Sequence, residues 1–210
     1  TRSTPRASRR EIETCARCHA RRGALTDDYV YGRPLGDSHR PALLEEGLYW
    51  PDGQMRDEVY NYASFLQSAM FAKGVTCSDC HEPHSLKLRK AGNAVCTQCH
   101  LPNKFDLEAH THHKAGTPGA QCPACHMPTT TYMGVDARHD HSMRVPRPDR
   151  SIAMGVPNAC AQCHRNRTAQ WADAAIRSWE REPAAGHQSF AEALYAGGRM
   201  AADGRARLLR

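Results

Sequence analysis

Five copies of one five-residue word constrain this chain more than anything else in it: Cys15-Ala16-Arg17-Cys18-His19, Cys77-Ser78-Asp79-Cys80-His81, Cys96-Thr97-Gln98-Cys99-His100, Cys122-Pro123-Ala124-Cys125-His126 and Cys160-Ala161-Gln162-Cys163-His164. C-x-x-C-H is the attachment sequence of a c-type haem. Each thiol adds to a vinyl group of the porphyrin, and the histidine binds the iron from one side. All 10 cysteines fall in these words and none is left over. A redox dithiol, a disulfide or half a zinc site accounts for paired cysteines but not for a histidine directly after every second one. With His at 13 of 210 positions, five such matches by chance would arise about once in a million. Five words imply five covalently bound haems, each carrying iron. Cys15, Cys18, Cys77, Cys80, Cys96, Cys99, Cys122, Cys125, Cys160 and Cys163 are the anchors. His19, His81, His100, His126 and His164 are the proximal ligands.

That cofactor load decides the fold class. Hydrophobic residues make up 40% of the chain and aromatic residues 7%, thin for a conventional core of this size. Five flat apolar macrocycles replace side chains as the core, and each motif staples its loop at two cysteines. The expected fold is mostly irregular with short α-helices, packed around a chain of five haems, with little or no sheet.

The formal charge of +6 counts only the protein. A ferric haem c with ionised propionates carries about −1 and a ferrous one about −2, so the loaded protein is about +1 oxidised and about −4 reduced. A nucleic-acid partner inferred from the basic balance is thereby excluded. No apolar run is long enough to span a bilayer, and Thr1 to Arg10 is polar and basic, unlike a signal peptide. Haem c is attached outside the bacterial cytoplasm. The expected location is periplasmic or extracellular, at the cell surface, with an export signal removed or the chain part of a longer polypeptide.

Three regions are expected. Residues 1–12 form a flexible basic arm (Arg2, Arg6, Arg9, Arg10), residues 13–167 a pentahaem cytochrome c domain, and residues 168–210 a helical tail. Within the domain, a haem-free gap from Ala20 to Thr76 holds one histidine, His39. Its second half carries Val59, Tyr62, Leu66 and Ala69 at helical spacing, which predicts a helix from about Arg56 to Ala72, stopped by Lys73-Gly74. In the tail, Trp171, Ala175, Ile176 and Trp179 predict an amphipathic helix from Thr168 to Arg181. A second is expected from Gln188 to Ala196 and a third near Arg205, as at the start of a helical repeat array.

Full histidine ligation needs five distal ligands. Eight histidines remain outside the motifs: His39, His84, His110, His112, His113, His139, His141 and His187. His84 lies too close to His81 to reach the far side of the same iron, but it can reach an adjacent one. The expected distal set is His39, His84, His113 and His141, with His110 (or His112) as the fifth. Met133, Met143 and Met154 are the alternatives. A bis-histidine haem passes electrons but offers no vacant position to a substrate.

The run from Cys122 through Met127-Pro128, Tyr132, Gly134, Asp140-His141-Ser142 and Arg144-Val145-Pro146 to Asn158-Ala159-Cys160 resembles the last two haem segments of ammonia-forming cytochrome c nitrite reductases and their hydroxylamine-oxidoreductase-like relatives. The whole stretch from Glu13 to Trp179 is closer to multihaem cytochromes with C-terminal tetratricopeptide-type repeats. There Tyr29 to Arg40, the helix before Cys77, the Cys77–His84 word and Asn158 to Trp179 have counterparts. The resemblance implies further motifs upstream and repeats downstream in a longer protein. It also implies that His141 serves the haem held by His81, and that His113 or His112 serves the last haem. The reductases' catalytic haem takes lysine in place of the motif histidine, and no C-x-x-C-K occurs here.

The reading that follows is an extracytoplasmic electron-transfer protein without catalytic residues. Its partners are other redox proteins or copies of itself stacked into a filament. The alternative is a haem-based oxidoreductase acting on small nitrogen or sulfur compounds at one open iron.

Overall fold

The computed structural model describes residues 8–85, 87–179 and 184–209. Most of the expected basic arm and the Glu180–Arg181 end of the tail's first expected helix lie outside them. Within them, irregular chain dominates, punctuated by short helices and three two-stranded antiparallel ribbons whose longest strands have four residues.

Helix α1 (Arg10–His19) carries the first motif at its C-terminal end. Its inner face, Ile12 and Ala16, joins Ala20, Leu35, Tyr62 and Phe65 in one core cluster. Glu13 is buried there with both oxygens occupied, accepting from Tyr62 Oη at 3.2 Å and Leu35 N at 3.0 Å. Strands β1 (Arg22–Ala24) and β2 (His39–Pro41) pair next, bringing His39 back beside the first motif.

The long helix expected from Arg56 is shorter and broken. Only α2 (Tyr62–Leu66) and α3 (Ala69–Ala72) are helical. Two local causes account for this. Tyr60 sits at φ 59°, outside the right-handed helical region. Ser68 is extended and restarts the helix, its Oγ accepting from Phe71 N at 3.0 Å. Before the break, Glu58 is drawn to Arg138 at 3.0 Å and Asp57 to Arg21 at 3.2 Å. Val59 therefore reaches the core from irregular chain, packing with Tyr49, Met55 and Tyr132.

The remaining motifs sit on single turns: α4 (Cys77–Cys80), α5 (Ala94–Thr97), α8 (Cys122–His126) and a 3-10 turn over Ala159–Gln162. Ribbon β3 (His81–Glu82) with β4 (Lys87–Leu88) follows the second motif, and β5 (Thr129–Tyr132) with β6 (Asp136–His139) follows the fourth. Between them lie α6 (Pro102–Phe105) and α7 (Glu108–Thr111). Helix α9 (Pro148–Met154) leads to the fifth motif.

In the tail, α10 (Ala169–Trp179) packs on α9, and α11 (Ala191–Gly198) forms a hairpin with α12 (Gly204–Leu208). Gly204 is obligatory in that hairpin, since a Cβ there would lie 2.7 Å from the Ala196 carbonyl oxygen. Among the described residues no helix is long and apolar enough to cross a membrane.

Candidate haem-binding site

One helical turn is what the C-x-x-C spacing demands. Residues i and i+3 of a helix face the same way, about 5–6 Å apart. Each motif thus offers two thiols on one side and delivers its histidine as the turn ends. All ten cysteines are free thiols. They meet in sequence order. Cys15 of the first motif hydrogen-bonds Cys77 of the second. Cys96 of the third hydrogen-bonds Cys122 of the fourth, while Cys80 of the second lies near Cys99 of the third and Cys125 of the fourth near Cys160 and Cys163 of the fifth. The first contact lowers the Cys15 thiol to about 7, and it pushes Cys77 up because that thiol is the donor. Burial pushes Cys96 up to about 12.

The histidines meet across these motifs. His81 and His141 rings are stacked with centres 6.3 Å apart and planes 26° apart; His110 and His126 are 6.1 Å apart at 12°; His113 and His164 are 6.1 Å apart at 39°. An imidazole nitrogen binds a first-row metal at about 2 Å and sits about 1.2 Å from its ring centre, so two rings on opposite sides of one iron have centres about 6.3 Å apart. The three pairs stand at the separation that a shared metal ion requires. A bare ion fits less well: no group of three or more His, Cys, Asp or Glu side chains converges among the described residues.

Ring orientation agrees with that fit. His126 Nδ1 hydrogen-bonds the Arg144 carbonyl at 2.8 Å, His141 Nδ1 the His139 carbonyl at 2.9 Å and His113 Nδ1 the Thr111 carbonyl at 2.6 Å. A carbonyl only accepts, so Nδ1 carries the proton and the Nε2 lone pair is free for metal. Burial lowers the pKa of His81, His126 and His141, favouring the neutral form that ligates.

Four expected ligands stand apart from these pairs. His19 and His100 have no histidine ring stacked opposite them among the described residues; His100 has Phe105 edge-on at 5.7 Å. His39 is buried, its Nδ1 2.8 Å from Ser38 Oγ and its ring edge-on to Tyr29, which lies under Arg17 of the first motif. His84 is exposed in the β3–β4 turn. Of the other histidines, His112 stacks on Trp179 at 3.9 Å, His139 is bonded through Nδ1 to the Met127 carbonyl, and His187 is exposed.

Three contributors were not visible in the sequence. Gly119 leaves space for the His113 ring, which a Cβ would overlap. The Arg144 carbonyl orients His126 from 18 residues away. Trp179 stacks on His112, between His110 and His113, which face different motifs. A glycine in a turn, a backbone oxygen and an aromatic on an amphipathic face carry no signal for these roles.

Residues 69–105 match a family model described as a doubled CXXCH motif, spanning the second and third motifs. No curated protein matches the chain. Among solved structures, the crystal structure of the outer cell wall cytochrome OcwA is similar, with a TM-score of 0.59 and 21% sequence identity over 92% of this chain and 60% of that one. The chain therefore spans 60% of the length of that cytochrome. The fold is that of a multihaem cytochrome, and the motif pair is that of c-type haem attachment.

Proposed function

We propose that this chain is an extracytoplasmic electron-transfer protein carrying five closely packed c-type haems, ligated mainly by histidine on both sides. The observation that carries the reading is the three facing histidine pairs at 6.1–6.3 Å. Bound haem c supplies a one-electron iron couple. Ten cysteines would hold that group, and paired imidazoles would bind its iron and so keep substrates off it. His110 and His126 serve the fourth motif, His141 and His81 the second, and His113 and His164 the fifth. His39 and His84 are left for the irons of His19 and His100. Thiol hydrogen bonds that join the first motif to the second and the third to the fourth support close packing of the groups these motifs would carry. The likeness to an outer cell wall cytochrome supports placement outside the cytoplasm; the partner in this reading is another redox protein or further copies of the chain, as in a filament.

One observation favours a second reading, an oxidoreductase of small nitrogen or sulfur compounds: His19 and His100 lack a stacked histidine among the described residues. Carbon monoxide separates the two. The ferrous, fully loaded protein is expected not to bind it promptly at any haem. Prompt uptake of one molecule per intact chain overturns the transfer-only reading.

A further inference from the structure

The three facing pairs are oriented in two different ways. His113 and His141 each bond a carbonyl two residues earlier in their own loop. His126 takes its carbonyl from Arg144, and that residue is fixed by contacts reaching far across the chain. Its backbone N–H returns the bond, donating to the His126 carbonyl at 3.1 Å. Met143, immediately before it, is held at φ 46°, a left-handed conformation disfavoured for a residue with a side chain. The Arg144 guanidinium is buried and clamped: Nη1 donates to Asp52 Oδ2 at 3.1 Å and to the Asp52 carbonyl at 3.3 Å, while Nε donates to Ser142 Oγ at 2.8 Å and lies 3.6 Å from Asp140 Oδ2. Asp52 is buried too, and accepts from Gln54 Nε2 at 2.8 Å. It comes from the haem-free segment, 92 positions earlier in the chain.

A buried charge pair is costly to assemble and persists where it fixes a geometry. Here the fixed geometry is the turn that aims a carbonyl at the ring of a motif histidine. A ring whose Nδ1–H is held by a strong acceptor is a better donor to metal, and such outer contacts tune the metal they surround. We infer that Asp52, acting through Arg144, is a positioning residue for His126 and lowers the reduction potential of the fourth haem. The haem-free segment is then part of the redox tuning of a motif far from it in sequence. The inference rests on the reading of His126 and His110 as axial ligands.

The test uses the fully loaded protein, with haem content checked by mass and potentials resolved by spectroelectrochemical titration. His110→Met first marks the fourth haem, because methionine ligation raises its potential. Asp52→Asn is expected to raise that same component and leave the other four in place; Ser142→Ala, a gentler change to the same clamp, should raise it by less. Arg150→Gln is the control. It breaks the ion pair of another buried arginine, with the exposed Glu192 at 2.9 Å, and is expected to lower Tm without moving any potential. Unmoved potentials in Asp52→Asn and Ser142→Ala overturn the inference, as does a common shift of all five or an equal shift in the control. If Asp52→Asn does not load, Ser142→Ala decides by the same criterion. If His110→Met moves nothing, the ligand reading fails and the inference falls with it.

Discussion

At the scale of single residues, the chemistry rests on which imidazole faces which motif. Replacing His141 by Met is expected to raise the potential of one haem, since Met/His ligation does so. An unchanged titration removes His141 from the ligand set. Gly119→Ala tests the opposite face of the same logic. Its new methyl overlaps the His113 ring, and overpacking of this kind costs about 1–3 kcal/mol. The expected outcome is a lower Tm with one low-spin haem perturbed; an unaltered spectrum shows that His113 is not held there. The motif cysteines and histidines were legible directly, because covalent haem attachment imposes a spacing that little else imitates. The approach of His141 to His81 and of His113 to His164 was implied only by resemblance. The need for glycine at 119 was not legible at all: it arises from a ring packing against a turn, and a turn glycine looks the same whether or not a ring lies over it.

At the scale of elements, periodicity located helices better than it located their ends. The tail's first helix was expected from Thr168 to Arg181 and runs over Ala169–Trp179, and the second lies at Ala191–Gly198 within three residues of expectation. The helix expected from Arg56 failed for a physical reason. Its first turn is broken at Tyr60, held at φ 59°, next to Glu58, whose ion-pair partner Arg138 is 80 positions away and outside any local window. The break at Ser68 is itself a cap. Ser68→Ala removes the acceptor for Phe71 N and the donor to the Phe65 carbonyl, and is expected to cost about 1 kcal/mol. Chemical denaturation should show the lower midpoint with haem content unchanged. An unchanged midpoint indicates that the two helices hold their angle without the cap.

At the scale of the whole molecule, composition was legible as a deficit. A chain with 7% aromatic residues needs another source of apolar core, and the proposed five macrocycles would supply it. Denaturing mass spectrometry is expected to find about 3 kDa of haem above the 23.3 kDa chain; metal without porphyrin contradicts the cofactor assignment. The order of motifs in space was not legible, since it depends on how five loops stack. The structure joins the first motif to the second, and the third to the fourth, by thiol hydrogen bonds. Electron transfer without substrate chemistry requires that no iron keep an open position. Low-temperature EPR of the oxidised, intact protein tests this most directly. The account predicts low-spin ferric signals alone, integrating to five haems per chain. A high-spin ferric signal integrating to one haem per chain would contradict it and identify an open iron.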